Sequence, residues 1–215
     1  MQEIAKLNEA PNYSSLEAAQ YLRLPLANVR RWVKEGIVLA PEIGVSFFNL
    51  VEMHVLKGLR KDCNLPLQRI RQALDEYRET EKFEHPLLDK RLETDGIHLF
   101  LHDGDEYWNL NRSKQRGIPQ ILSTYLRRID GLGTGNLVFF PFIVGETEQE
   151  PRTIQISPRI AFGRPVLSHT GISTEVIAGR FRARDSIADL AEEYEVPSAS
   201  IEDAIRWELP HLNAA

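Results

Sequence analysis

The residues best suited to a chemical task form a short basic stretch near the N-terminus. They are Asn28, Arg30, Arg31 and Lys34. Asparagine and arginine can pair with base edges in a DNA major groove, and lysine and arginine can hold phosphates. Apolar residues between them repeat with the period of a helix, so the polar set is predicted to face solvent or a partner. We predict that this set binds DNA; the alternative is a solvated helix face.

Four other groups have reactive residue types without the spacing of a site. On a strand, the two histidines of the His98–Asp105 segment would lie about 13 Å apart, too far for one metal ion. Ser168 and His169 are adjacent in sequence, which rarely gives a nucleophile and base in line. The Gly131–Gly135 segment follows a predicted helix and precedes a predicted strand, which is the reverse of the order in a phosphate-binding loop. Cys63 is the single cysteine of the sequence, and one thiol does not define a site. We therefore expect a protein that is not an enzyme and holds no metal or cofactor.

The composition is that of a folded cytoplasmic protein. Of its 215 residues, 42% are hydrophobic, and no apolar run approaches the roughly 18 residues that span a bilayer. The formal net charge is -5, and it falls on residues 144–215, where 7 Lys and Arg face 12 Asp and Glu. The acidic balance argues against a protein that coats nucleic acid non-specifically, but a compact DNA-reading module stays possible because only its local face matters.

The beginning of the chain predicts two helices joined by a short turn. Ser14 and Glu17 have the capping-box spacing at the start of the first helix, where Ser15 also lies. Pro25 opens the second helix at its first turn, and Gly36 ends it as a left-handed residue would. The basic set lies on this second helix.

Two further helices follow a predicted wing. Residues 37–48 contain the apolar and glycine positions of a short hairpin. Asn49 can cap a third helix, and Pro66 precedes a fourth. Helix, turn, helix, hairpin and two helices is the plan of a winged helix-turn-helix.

The rest of the sequence predicts two smaller parts. An Asp103-Gly104 hairpin, a helix opened by Pro119 and an apolar strand over residues 137–142 suggest a small α/β segment. Three helices then follow residue 174. We therefore predict a mainly α, α+β chain with three domains, a winged helix-turn-helix (1–80), an α/β middle segment (81–150) and a three-helix helix-turn-helix-like module (151–215).

The N-terminal motifs resemble the DNA-binding head of MerR-type regulators. They are Tyr13-Ser-Ser-Leu-Glu-Ala-Ala19, Val29-Arg-Arg-Trp-Val-Lys-Glu-Gly-Ile37, Leu56-Lys-Gly-Leu-Arg60 and Leu67-Gln-Arg-Ile-Arg71. The resemblance covers about a third of the chain and implies DNA contact from Ser15, Asn28, Arg30, Arg31 and Lys34. The arginine usual in that family's wing is absent here, and the long dimer-forming helix ends early.

The C-terminal motifs resemble the bacterial family known as domain of unknown function 433, read as a VapB-type antitoxin domain. They are Gly163-Arg-Pro-Val166, Thr170-Gly-Ile-Ser-Thr174 and Asp185-Ser-Ile-Ala-Asp-Leu-Ala-Glu-Glu-Tyr194. His169 stands where that family usually has glycine. The resemblance covers about 55 residues.

Together these resemblances imply the antitoxin of a toxin–antitoxin pair. It would repress its own operon by binding operator DNA, and its partner would be a PIN-like ribonuclease toxin. An arginine inserted into the toxin's acidic metal site could pair with its carboxylates; the candidates are Arg180, Arg182 and Arg184. We also expect a homodimer, because operators are usually palindromic, and no membrane association.

A second reading is a stand-alone MerR-like transcription regulator with a small-molecule effector. Six aromatic residues of the middle segment could line a pocket for the effector, or could form the core. They are Phe100, Tyr107, Trp108, Phe139, Phe140 and Phe142.

Overall fold

The computed structural model describes residues 2–62, 65–89, 118–132 and 136–212. The chain divides into two compact units, residues 1–137 and 138–215. Helices dominate both and the sheets are small and antiparallel, which confirms the mainly α, α+β fold class. The three-domain division stays a prediction. The predicted hairpin around Asp103, the two histidines of the His98–Asp105 segment and Cys63 lie outside the described residues.

The elements of each unit are as follows. The first unit contains α1 (Gln2–Glu9), β1 (Pro11–Tyr13), α2 (Ser15–Leu22), α3 (Leu26–Lys34), β2 (Val45–Ser46), α4 (Phe47–Lys61), α5 (Leu67–Glu81), a 3-10 turn (Pro86–Leu88), α6 (Ile118–Leu126) and β3 (Ile129–Asp130). The second contains β4 (Val138–Phe139), β5 (Ile154–Gln155), a 3-10 turn (Ala161–Gly163), β6 (Val166–Leu167), α7 (Thr174–Arg182), α8 (Ile187–Glu193) and α9 (Ser198–Leu212).

Local caps define α2, as the sequence predicted. Ser14 is the N-cap, its hydroxyl oxygen accepts from the Glu17 amide at 3.1 Å, and the Glu17 carboxylate accepts from the Ser14 amide at 2.8 Å. Both otherwise unpaired donors of the first turn are thereby satisfied. Pro25 lies one position before α3, as its N-cap. The turn between α2 and α3 consists of residues 23–25.

The end of α3 also confirms its sequence prediction. Gly36 has a φ of +70°, its amide donates to the Val33 carbonyl at 3.0 Å, and the Ile37 amide donates to the Trp32 carbonyl at 3.0 Å. These two bonds define a Schellman cap, which favours glycine because it adopts positive φ without a Cβ clash.

The predicted hairpin over residues 37–48 is wrong. The strand β2 has two residues and pairs antiparallel with β1, which precedes α2. The physical reason is the helix start that follows: Ser46, rather than Asn49, is the N-cap of α4. Asn49 is the third helical residue, and its side-chain oxygen accepts from the Ser46 amide at 3.1 Å. The early cap leaves no room for a second hairpin strand.

The core of the first unit surrounds α4. Twelve of its fifteen residues are buried, and α1, α2 and α6 all pack against it. Gly58 lies against the Tyr125 ring of α6, whose hydroxyl donates to the Asp62 carboxylate at 2.6 Å. The His54 ring lies 4.9 Å from the same ring, so Tyr125 is held on two sides.

The second unit is a three-helix module on a short sheet. β5 pairs antiparallel with β6, and α9 packs against both α7 and α8, confirming the three predicted helices. The helices and β6 share an aliphatic cluster, which contains Leu167, Ile177, Leu190, Ile201, Ala204 and Ile205.

A pocket for a small-molecule effector was one expectation for six aromatic residues of the middle segment. The three of them that the structure describes belong to the core. Phe139, Phe140 and Phe142 are buried. The Arg152 guanidinium lies 4.2 Å from the centre of the Phe140 ring. The other three aromatic positions lie outside the described residues.

Substituting Gly58 by Ala should destabilise the first unit, although alanine favours helices. A Cβ at this position would lie 2.6 Å from the Tyr125 Cδ2 atom. Such overpacking costs about 1–3 kcal/mol. Gly179 in α7 is the matched control, because its added Cβ would meet only the Arg182 guanidinium, at 3.9 Å. Gly179→Ala should stabilise by about 0.5–1 kcal/mol. Urea unfolding followed by circular dichroism measures both; equal effects of the two substitutions would contradict the packing argument.

Candidate nucleic-acid interface and partner surface

The helix α3 separates its apolar and basic residues on opposite faces. Val29 and Trp32 are buried, at 0% and 2% exposure. Arg30, Arg31 and Lys34 are exposed. Lys34 lies four residues after Arg30 and three residues after Arg31, so all three side chains fall on one side of the helix. Three cations therefore form one outward face, which we call the α3 basic face.

The charges of the α3 basic face are not neutralised within the described part of the chain. The side chains of Arg30, Arg31 and Lys34 form no ion pair or hydrogen bond with any described residue. Asn28 and Ser15, the other two predicted DNA contacts, are both half-buried, Asn28 on α3 and Ser15 at the first residue of α2. All five predicted residues thus belong to the α2–α3 pair, whose helices pack against each other.

A guanidinium from α5 fixes the end of α3. The Arg78 side chain donates to the Ile37 carbonyl at 2.7 Å and to the Gly36 carbonyl at 3.3 Å, and it pairs with Asp75 at 3.2 Å. Arg78 is 13% exposed in its side chain. Because a planar guanidinium holds several acceptors in a fixed geometry, it ties the turn after α3 to α5.

A buried lysine fixes the end of α2. The Lys57 ammonium of α4 donates to the carbonyl of Leu22, the last residue of α2, at 2.7 Å. A cation is favourable there because the C-terminal end of a helix carries partial negative charge. The two helices of the α2–α3 pair are therefore each held at their C-terminal end by a basic side chain from the core.

A buried ion pair fastens the segment after α5 to α4. The Nδ1 atom of His85 lies 2.9 Å from a carboxylate oxygen of Glu52, which is 1% exposed. The His85 ring also packs on Phe48, with 4.9 Å between ring centres. Burial opposes protonation of His85, but the hydrogen bond and charge of Glu52, with Glu84 and Glu9 nearby, raise its pKa above the ordinary 6.5.

The three C-terminal arginines differ in how they are engaged. Arg180 of α7 donates to Asp185 at 2.6 Å, to Glu193 and to the Tyr194 hydroxyl at 3.2 Å. The Glu193 hydrogen bond, then those to Tyr194 and Asp185, raise the pKa of Arg180, and Arg180 in turn lowers the pKa of Glu193. This predicted partner contact is thus occupied in joining α7 to α8.

The other two arginines are free of carboxylates. Arg182 is exposed and donates to the Ala178 carbonyl at 3.4 Å, a contact within its own helix. Arg184 is exposed, with a φ of +82°, and its side chain has no partner among the described residues. These two remain available for a partner's carboxylates.

The exposed side of α9 carries the opposite charge from the α3 basic face. Arg206 pairs with Asp203 at 2.8 Å and lies 4.0 Å from Glu202, while the Asp203 carboxylate also accepts from the Thr153 hydroxyl. The one cation of this cluster is therefore matched by two carboxylates, and the helix presents no unpaired basic residue along its described side chains.

Ser168 and His169 do not form a nucleophile–base pair. The Ser168 hydroxyl donates to the Arg152 carbonyl at 2.5 Å. His169 is exposed with a φ of +66°, the conformation that explains why its family position usually holds glycine. Both residues line an open cavity of about 350 Å³ between the turn after β6 and the start of α9.

The described residues provide neither a metal cluster nor a membrane-spanning helix. No group of three or more His, Cys, Asp or Glu among them is arranged to hold a metal ion. None of the helices that the structure describes has the length and apolar character needed to cross a membrane.

The supporting residues Arg78, Lys57, Glu52 and His85 were missed by the sequence analysis. Their basic and acidic types are ordinary for helices, and their partners lie far away in sequence: His85 is 33 residues from Glu52 and Arg78 is 41 from Ile37. The one available signal was the placement of a charged residue among apolar neighbours, which holds for Glu52 and Lys57 in the buried stretch Leu50–Leu59.

Comparison with known proteins assigns the C-terminal module first. Residues 154–207 match the family described as "Protein of unknown function (DUF433)". This segment includes β5, β6 and α7 to α8 with most of α9, so the C-terminal resemblance that the sequence motifs suggested is confirmed for these residues.

Two relatives match almost the whole chain. A protein of Mycobacterium tuberculosis (strain ATCC 25618 / H37Rv) named "Putative antitoxin VapB45" is 23% identical over 236 residues, covering 95% of this chain and 96% of that protein. The crystal structure of Rv2018 from Mycobacterium tuberculosis has a TM-score of 0.70 and 22% identity, covering 91% of this chain and 98% of that one. The structural likeness shows a shared fold.

The Glu52–His85 pair should make stability depend on pH. Because the pKa of His85 is raised above 6.5 in the folded chain, its stabilising charge is fully present below 6.5 and is lost as the pH rises through the raised pKa. We expect the free energy of unfolding to fall between about pH 6 and about pH 8. His85→Gln should remove this part of the dependence. Urea unfolding at both pH values tests it, and an identical decrease in the variant would contradict the assignment.

Proposed function

We propose that this protein is an antitoxin that binds a toxin protein through its C-terminal unit and represses its own operon through the α3 basic face. The name of the Mycobacterium tuberculosis relative, which matches almost the whole chain, and the family match over residues 154–207 support the antitoxin class. The observation that carries the division of labour is a contrast between two helices: the three cations of α3 have no partner in the described ranges, whereas the charges on α9 are matched.

DNA binding by the first unit rests on the geometry of α2 and α3. A three-residue turn between two helices, the second of them basic on its outer face, is the arrangement of a helix-turn-helix reader. Arg30, Arg31 and Lys34 would contact phosphates or guanine edges, and Asn28 would reach adenine. Ser15, at the start of α2, would contact the phosphate backbone, as first helices in such motifs do.

The second unit has the helices of a similar motif but the wrong charge for DNA. Phosphates repel the carboxylates of Glu202 and Asp203, which outnumber the single Arg206 beside them. We therefore assign this unit to protein recognition. The expected partner is a PIN-like ribonuclease, as the family resemblance implies, and Arg182 and Arg184 are the arginines able to enter its acidic metal site.

We further propose that the protein acts as a homodimer. A single α2–α3 pair covers only a half-site, and two copies related by a two-fold axis match a palindromic operator.

Removing two cations from the α3 basic face should weaken operator binding. Arg30→Ala with Arg31→Ala should lower affinity for the protein's own promoter and reduce the slope of its salt dependence by about 1 for each phosphate that is no longer held. Electrophoretic mobility shifts over a series of salt concentrations measure both. The control is Arg71→Ala with Arg206→Ala, which changes the net charge equally but alters exposed pairs on α5 and α9. Equal decreases in the two double variants would show a general charge effect and refute the assignment.

The C-terminal arginines should separate into a structural and a partner-binding class. Arg182→Ala with Arg184→Gly should weaken toxin binding about tenfold or more for each charge-assisted hydrogen bond to the toxin that is removed, without lowering the melting temperature, since glycine suits the positive φ at 184. Arg180→Ala should instead lower the melting temperature slightly, because solvent screens exposed ion-pair networks and leaves them a small net contribution. Calorimetric titration with the product of the reading frame adjacent to this gene measures binding. Loss of binding in Arg180→Ala alone would reverse the assignment.

A further inference from the structure

The connection between β5 and β6 displays an aromatic side chain to solvent. Phe162 is 92% exposed, the highest exposure among the large hydrophobic residues of the described chain. It lies at the centre of a turn whose Gly163 and Arg164 amides donate to the Ile160 and Ala161 carbonyls, each at 3.0 Å. The paired strands β5 and β6 close the base of this connection.

The backbone of this turn is held in an unfavourable conformation. Ala161 and Phe162 have φ values of +46° and +54°, and Gly163 follows at +82°. For residues with a Cβ, the left-handed region costs roughly 1–2 kcal/mol each. Such conformations persist only where the surroundings fix them. Pro158 and Pro165, both buried, are the first and last residues of the 158–165 segment and restrict its backbone further.

The charge around Phe162 is the reverse of that of the rest of its unit. Between Glu150 and Glu175 the sequence has three arginines and no Asp or Glu, although residues 144–215 carry a net charge of -5. Arg159 and Arg164 flank the turn and are exposed, and the Arg159 side chain has no partner among the described residues. An aromatic ring with flanking guanidinium groups matches an apolar pocket with an acidic rim.

We propose that the 158–165 turn, which we call the Phe162 turn, is the anchor by which the C-terminal unit binds its toxin. Rigid, exposed aromatic and arginine residues dominate binding energies because their pockets exclude water and little conformational entropy is lost. The exposed ring requires an apolar pocket, which a partner protein offers and a phosphate backbone does not; a second copy of the chain is an outcome that the test below distinguishes. This inference rests on the proposed antitoxin function and adds the surface that carries it.

The test removes the ring while relieving the backbone. Phe162→Gly in the full chain takes away an exposed side chain at a position where glycine adopts the required φ freely. We expect about thirtyfold or more weaker binding to the co-expressed product of the reading frame adjacent to this gene, with a melting temperature no lower than that of the unaltered chain. Phe162→Asn, which also tolerates positive φ, should behave alike, and Phe162→Trp should retain binding. The control is Ile43→Ala, which removes another exposed apolar side chain, 83% exposed, in the first unit.

Each result bears on the inference in a defined way. If the unaltered chain does not bind the neighbouring product, the proposed antitoxin function fails and the inference falls with it. If the unaltered chain binds and Phe162→Gly binds equally well, the antitoxin function stands and the inference is overturned. It is also overturned if Phe162→Gly weakens operator binding, or shifts the oligomeric state in sedimentation experiments, while toxin affinity stays unchanged.

Discussion

The carbonyl groups at the end of a helix have no partner within the helix. In the first unit, the donors that bind the ends of α2 and α3 also position α3, the basic helix. At the end of α2, the Leu22 carbonyl accepts from Lys57. At the end of α3, the last carbonyls accept from backbone amides of the Schellman cap, and Arg78 holds the Gly36 and Ile37 carbonyls that follow. Because Lys57 belongs to α4 and Arg78 to α5, their bonds also fix the ends of α2 and α3 against the rest of the first unit. The Glu52–His85 pair extends the same arrangement, since it fastens the segment after α5 to α4.

Two arginines of the second unit contrast with the cations of α3. In α3, the arginines and lysine have no carboxylate partner among the described residues, so binding an anion would break no ion pair there. In the second unit, Arg180 and Arg206 each have carboxylates beside them, and such a cation gains less from an additional anion. Net charge alone would have suggested only that the second unit avoids DNA. The pairing pattern adds that the α3 basic face keeps its charges unpaired within the described part of the chain.

Two adjacent residues with left-handed backbones lie where the surface of the second unit is most apolar. Ala161 and Phe162 have left-handed backbones, and the ring of Phe162 has almost no cover from the rest of the chain. His169 has the same backbone region at the rim of the cavity near α9. These positions lie in the connections of the small β5–β6 sheet, while the helices α7 to α9 supply the aliphatic core beneath. The rigid helical module thus supports loops that carry the features suited to recognition.

The sequence by itself determined what depends on neighbours three or four residues away. The Ser14–Glu17 capping box, the left-handed Gly36 and the basic outer face of α3 were all predictable, because caps and helix faces are local. The predictions of a hairpin over residues 37–48 and of an Asn49 cap were wrong. Ser46 caps α4 instead, and the strand that pairs with β2 comes from residues 11–13. The engagement of Arg180 with Glu193 and of Arg78 with Ile37 was decided only by the tertiary structure. Long side chains choose among many acceptors, and only the folded chain fixes which of them lie within reach.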